Sequence, residues 1–447
     1  MKNPNPSDFD SQLNRRSFLK TTSTAIIGGA LAGGLAIERS AFAAPDDTLK
    51  IALIGCGGRG SGAADQALST EGKVKLVAMA DAFPHRLQSS LQNLKKQHGD
   101  RVDVPEDHQF IGFDAYEKAI ALADVVILAT PPGFRPIHFE AAVNAGKHIF
   151  MEKPVAVDGP GVRRVLAAAA ISKQKNLKVG VGLQRHHQPG YLEAMQRVHD
   201  GAIGDLVSLR CYWNGDRPWV RPRQPGKTEM EYQMDNWYYF SWLCGDHIVE
   251  QHIHNLDVAN WMKQAHPVKA SGMGGCQAPR NSDSGEIFDH HAVEFEYADG
   301  SHLYSQCRHI HDCWSSVSEH AQGTKGTVDM QDGRGWIIKG TNAWEYKKSG
   351  PQKSPYQIEH DDLFAAIRND RPYNEAEYGA HSTMTAIMGR MATYSGQVID
   401  WDRALNSQVV LAPDTFAWDA KPKAMVGENG LYPMPMPGNA EWLKKII

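Results

Sequence analysis

Ile51-Ala52-Leu53-Ile54-Gly55-Cys56-Gly57-Gly58-Arg59-Gly60 joins a wholly apolar run to glycines spaced G-x-G-x-x-G. The run predicts a strand over 48–54 buried on both faces, and the glycines predict a tight turn into a helix. In that arrangement Gly55 makes the turn, Gly57 lets the backbone approach a pyrophosphate, and Gly60 lets helix and strand pack closely. Gly58 and Arg59 open the helix, where free N–H groups and the positive dipole end favour phosphate. The motif alone is weak, but Asp81 stands at the end of the next predicted strand, 74–80, and 21 residues after Gly60. A carboxylate there accepts both ribose hydroxyls and repels a 2′-phosphate, so NAD is expected in preference to NADP, with Arg86 leaving room for the latter.

Strands predicted over 125–129 and 148–151 continue the pattern, each followed by a helical segment. Such alternation implies a doubly wound parallel sheet covered on both faces, a Rossmann domain over 44–175. A further strand, 178–183, ends at Gln184-Arg185. Beyond it the strands lengthen and the spacing loosens: 207–213, a hairpin of 292–297 and 302–308 around Ala298-Asp299-Gly300, then 327–330 and 336–339. With helices over 361–368 and 381–395, this predicts an α+β domain over 176–420 with a mainly antiparallel open sheet. A tail over 421–447, rich in Pro, Gly and Met, is expected to wrap the surface or a partner subunit.

Thr130-Pro131 ends the strand 125–129. His138 and Ala145-Gly146-Lys147-His148 then lead into Glu152-Lys153-Pro154. Here the sequence resembles the Gfo/Idh/MocA family of sugar and cyclitol dehydrogenases, whose pattern Thr-Pro, His, Ala-Gly-Lys-His, Glu-Lys-Pro it meets residue by residue. The resemblance covers nearly all of the chain beyond residue 43 and is most specific between 51 and 154. It implies that Thr130, Pro131, His138, Glu152 and Lys153 line the cofactor, with Gln184 on the same side. It also implies that the Glu-Lys-Pro proline is cis and that Lys153 contacts both the nicotinamide ribose and the substrate hydroxyl, as a polarising or proton-relay group.

The family's second signature, Asp-x-Gly-x-His-x-x-Asp-x-x-x-Trp, corresponds to the stretch from Glu250 to Trp261. His254, Asp257 and Trp261 align, while Glu250 replaces the aspartate and His252 the glycine. The resemblance implies that His254 is the acid/base. Helical spacing independently places His247, Glu250, His254, Asp257 and Trp261 on one face, with Glu250 able to orient the His254 ring and raise its basicity. His247 and Asp257 are accordingly expected to contact substrate, with Arg185 at its strand end. Tyr212, Trp213 and Trp237 offer aromatic faces suited to the C–H face of a sugar. No metal is expected: six scattered cysteines include no C-x-x-C pair, and His247 and His252 are spaced wrongly for a zincin helix. His247, Glu250 and His254 could still share an ion geometrically.

Net charge of −4 in 447 residues gives no electrostatic case for nucleic acid. Asn14-Arg15-Arg16-Ser17-Phe18-Leu19-Lys20, an uncharged stretch over 21–37 and Ala41-Phe42-Ala43 read as a twin-arginine export signal over 1–43. The alternative, a membrane anchor, is disfavoured because the stretch is short and glycine-rich. The twin-arginine translocon carries folded proteins, so NAD acquired inside could travel with the enzyme to an extracytoplasmic, periplasmic location. Little free NAD outside then implies a tightly held, internally recycled cofactor. The expected activity is oxidation of a secondary hydroxyl of a sugar, glycoside or polyol, the cycle closed by a second substrate, as in the family's glucose–fructose oxidoreductases. A redox-neutral NAD-dependent glycosidase and a non-catalytic sugar-binding protein are the alternatives. A homo-oligomer is expected by analogy with relatives.

Overall fold

The computed structural model describes residues 48–331 and 334–447; the export signal expected over 1–43 lies outside the described residues. The first sheet has six strands, β1 Leu49–Ile54, β2 Val74–Asp81, β3 Gln109–Ile111, β4 Val125–Leu128, β5 His148–Met151 and β6 Val179–Val181. They run parallel in the order β3-β2-β1-β4-β5-β6. Ile51, Ala52, Leu53 and all of β4 are fully buried, because helices cover both faces. The order reverses direction between β1 and β4, and a crevice opens there at the carboxyl ends of the strands. The parallel sheet runs past residue 175 to take in β6.

The second sheet has nine strands: β7 Leu206–Gly215, β8 Lys269–Gly275, β9 His290–Glu296, β10 His302–His309, β11 Ser316–Gly323, β12 Gly326–Gln331, β13 Gly335–Gly340, β14 Trp344–Glu345 and β15 Ile399–Asp400. Their order is β14-β13-β12-β11-β7-β10-β9-β8-β15, and only β7 and β10 pair in parallel. The predicted hairpin forms, with Gly300 at φ +79° and the Asp299 carboxylate accepting from the Ser301 N–H and hydroxyl. β3, β8 and β11 escape the sequence pattern. β3 is three residues long, β8 carries three glycines, and β11 is polar yet holds Glu319 fully buried.

The inner face of this sheet packs on helix Ala376–Ser395, whose Ala, Ser, Thr, Gly and Met side chains permit close approach; a Cβ on Gly389 would sit 2.8 Å from the Phe295 ring. The outer face lacks such a cover, and Met273 is 79% exposed there. The tail packs on its own chain, with Tyr432 buried against Phe240, and just ahead of it Trp418 and Phe416 lie against Phe83, Phe113 and Phe134. Among the described residues no helix is long and apolar enough to cross a membrane, and the six cysteines form no disulfide.

The expected continuous helix from His247 to Trp261 is two helices, His247–Glu250 and Ile253–Lys263. His252 N–H donates to the His247 carbonyl, one residue wider than an α-turn, while its ring is drawn into the core by Ser305 Oγ at 2.7 Å. The break rotates the second helix relative to the first, so the single face expected from spacing does not form.

Candidate active site

The crevice is a cavity of about 800 Å³ between the two sheets, lined from the glycine turn to His254. Gly55 has φ +93°, and a Cβ on it would stand 2.5 Å from the Ala129 carbonyl carbon; one on Gly60 would stand 1.9 Å from Gly55 O. A Cβ on Gly58 would meet nothing within 4 Å, and one on Gly57 only Arg86 Nη1 at 3.8 Å. The backbone is therefore tight beneath the turn and open above it. Helix Gly58–Leu68 has no side-chain cap, which leaves its first N–H groups to a ligand. Asp81 lies alongside, its two oxygens accepting from Cys56 N–H at 2.7 Å and Phe83 N–H at 2.8 Å, with lone pairs remaining for ribose hydroxyls. Arg86 donates to Asp235 at 3.0 Å, a carboxylate it shares with Lys227, and sits over the Phe83 ring. These features fit NAD. Arg59 contributes backbone only, since its guanidinium is engaged by Glu152, Gln66 and Glu359.

Thr130, Pro131, His138, Glu152 and Lys153 line the next part of the cavity. What fixes them is a residue that sequence reasoning missed. Arg135, 1% exposed, donates to the Leu128 and Thr130 carbonyls at 2.7 Å and to the Glu152 carbonyl at 2.9 Å, fastening the ends of β4 and β5 together. Burial lowers its pKa to about 10. His138 bonds Thr130 Oγ1 at 3.2 Å and stacks on Tyr116; burial, and then Arg135, lower its pKa to about 3. The Lys153–Pro154 peptide is cis, as the resemblance implies.

Lys153 Nζ donates to Glu250 Oε1 at 2.9 Å and to the Glu250 carbonyl at 2.5 Å, which ties β5 to the break between the two short helices. Glu250 therefore serves Lys153 rather than orienting His254. His254 lines the same cavity with its ring stacked on Trp213 at 5.9 Å. Its Nδ1 is buried without a partner, leaving Nε2 to the cavity. Burial, then the charges of Lys153 and Arg185, hold its pKa well below 6.5, so the ring is neutral and able to accept a proton at neutral pH. Arg185 is held from behind by Glu319, which also accepts from Tyr191 at 2.8 Å. Gln184 Oε1, buried in the cavity wall, has no partner among the described residues.

Three expected contacts are not brought into the site. Tyr212 lies on the outer face of β7, in register with Gln306 and Ser318, while strand alternation turns its neighbour Trp213 into the cavity. Asp257 is consumed by His186 at 2.8 Å and Ser382 at 2.7 Å. His247 sits behind the wall against Asp246 and His291 and does not line the cavity with Glu250 and His254. Trp237 does reach the cavity, joined by Tyr238, Trp219 and Tyr356.

Residues 49–183 match the oxidoreductase family with an NAD-binding Rossmann fold, and residues 191–329 match the GFO/IDH/MocA C-terminal domain. The chain belongs to the GFO/IDH/MocA oxidoreductases. It is 25% identical over 288 residues to inositol 2-dehydrogenase of Rhizobium meliloti, covering 64% of this chain and 77% of that one. Inositol 2-dehydrogenase of Ralstonia nicotianae is 29% identical over 218 residues, and there the match spans about half of each chain, 48% and 54%. Among solved structures, the fold is shared with aldose–aldose oxidoreductase from Caulobacter crescentus at a TM-score of 0.63 and 19% identity, over 79% of this chain and all of that one. It is shared with scyllo-inositol dehydrogenase from Lactobacillus casei, solved with NAD(H) and scyllo-inositol, at 0.60 and 21%, over 80% of this chain and all of that one.

Proposed function

We propose that the chain is an NAD-dependent oxidoreductase acting on a secondary hydroxyl of a sugar or polyol, with Lys153 and His254 as its catalytic pair. The observation that carries this is the Lys153–Glu250 contact beside a neutral His254, in one cavity with the glycine turn and Asp81. NAD, when bound, supplies the acceptor for the hydride that leaves the carbinol carbon. The Lys153 ammonium, held by Glu250, donates to the substrate oxygen and favours its developing negative charge. His254 Nε2 takes the hydroxyl proton, and the apolar wall of Trp213 and Tyr238 limits competing water. Gln184 and Arg185 offer an acceptor and a donor for the remaining hydroxyls, and the aromatic rings offer a face for the sugar's C–H groups. The names of the relatives, dehydrogenases of cyclic polyols and an oxidoreductase of aldoses, fit a ring carrying several hydroxyls.

The reading extends to an exported enzyme that keeps and recycles its NAD. Support comes from the twin-arginine sequence and from the segment ahead of the tail, whose Trp418 packs on Phe83 and Phe113 at the cavity rim at 4.9 and 4.7 Å. A homo-oligomer assembled through the outer face of the second sheet, where Met273 and Tyr304 are exposed, completes the proposal. The test is to purify the protein from cells, denature it without added cofactor and assay the supernatant for nicotinamide nucleotides. Near-stoichiometric NAD(H) is expected; a protein that arrives empty and fails to bind added NAD contradicts the reading.

A further inference from the structure

Behind the cavity wall, at the head of the segment that carries Glu250, three side chains converge that the reaction does not use. Asp246, His247 and His291 are 0%, 0% and 2% exposed. One carboxylate oxygen, Asp246 Oδ1, lies 3.0 Å from His247 Nδ1 and 3.2 Å from His291 Nε2. Neither nitrogen makes a hydrogen bond despite those distances, and His247 Nε2 is likewise without a partner.

The proton on His291 is assigned by its other side. Thr393 Oγ1 gives its hydrogen to the Arg390 carbonyl at 3.0 Å, so toward His291 Nδ1, 2.9 Å away, it accepts. With the Thr393 hydrogen placed on Arg390, the N–H of a neutral ring is on Nδ1 and Nε2 keeps a lone pair beside the carboxylate. Two acceptors opposed at 3.2 Å in a dry interior are costly unless a cation lies between them. The supports around the group are those of a ligand set. Thr393 fixes the His291 ring, while Tyr394 Oη at 2.5 Å and Phe288 N–H at 3.1 Å hold the other oxygen of Asp246. Asp246 itself has φ +77° and ψ 159°, a backbone region left almost wholly to glycine, and it is retained at a fully buried position.

We propose that Asp246, His247 and His291 bind one divalent first-row transition ion, zinc by the chemistry of the donor set. Ligand atoms roughly 3.3 Å apart suit a four-coordinate ion with bonds of about 2.0–2.1 Å, a water completing the shell. The ion staples β9 to the segment that presents Glu250 to Lys153, so its role is to position the catalytic pair. It is a different site from the His247, Glu250 and His254 combination that helical spacing suggests, since Glu250 and His254 line the cavity and His247 does not.

The experiment is metal analysis of the full chain, purified without chelator or histidine tag, before and after stripping and reloading with Zn²⁺, together with the visible spectrum of the Co²⁺-loaded protein. About one zinc per chain is expected, with the intense bands of a four-coordinate cobalt site. Asp246→Asn and His291→Gln should lose that stoichiometric metal, whereas replacing the exposed pair His311 and Cys313 should leave it. A wild-type chain holding under about a tenth of an equivalent after reloading overturns the proposal, as does a weak six-coordinate cobalt spectrum or loss of the metal with His311 and Cys313. The spectrum is read on the wild-type chain, so it decides the matter even if the buried variants fail to fold. Bound NAD and turnover play no part in it, so its failure leaves the proposed function untouched.

Discussion

The two walls of the cavity are built in different ways. The nucleotide wall is local: Gly55 to Gly60 and Asp81 come from one β-α-β unit, with Gly55 and Gly60 required by backbone 2.5 and 1.9 Å from where a Cβ would stand. The substrate wall is assembled over distance. Lys153 meets Glu250 across 97 residues, Arg185 meets Glu319 across 134, and Trp213 reaches His254 from a different strand. Local walls are specified by residue spacing, whereas distant walls are specified by which face of each element turns inward.

The sharpest break between the two walls is His254→Ala, which should lower kcat by about 10²–10⁴-fold while leaving the bound NAD content unchanged. Equal loss of NAD would mean that the walls are not separable. The converse is Gly60→Ala, whose Cβ would collide with Gly55 O; it should empty the protein of NAD, with a stability loss of about 1–3 kcal/mol by thermal or urea unfolding. Arg135→Met tests the seam, since it strands carbonyls of β4 and β5. About 2–4 kcal/mol of stability should go, with NAD retention weakened as well.

Smaller effects sharpen the contrast. Trp213→Ala should raise KM by about tenfold, while Tyr212→Ala, one residue away on the outer face, should leave kinetics unchanged. Equal effects on KM would overturn the assigned faces. The pH profile supplies the finest test. The His254 pKa lies below 6.5 in the folded protein, so its neutral, proton-accepting form persists as pH falls through 6.5. The acid limb of kcat/KM should therefore appear below that value, and a limb at or above it would remove His254 as the base.

Legibility followed the same division. The Rossmann order and the NAD preference were readable because glycine conformation and strand-end spacing constrain residue type directly, whereas the Thr130, His138 and Glu152 positions were implied by the family resemblance. Lys153 and His254 came from matching a pattern, and the structure places both in one cavity. Glu250 was expected to bond His254 and instead bonds Lys153, because four-residue spacing assumed an unbroken helix and His252, pulled toward Ser305, ends it. Tyr212 and Trp213 were both offered as sugar contacts because alternation reveals two faces without saying which is inward. Arg135 had no signal at all: its three acceptors are main-chain carbonyls, which any sequence supplies.

The most direct test of the central claim is single-turnover reduction of the enzyme's own NAD. The purified chain is mixed with a panel of inositols, aldoses and anhydrosugars, and nicotinamide absorbance is followed in wild type, Lys153→Ala and His254→Ala at equal NAD content. The account predicts that at least one polyol or sugar reduces the wild-type cofactor within the mixing experiment and that both variants lose that phase. An NAD-loaded wild type that none of the panel reduces, or variants that react as fast as it does, would contradict it.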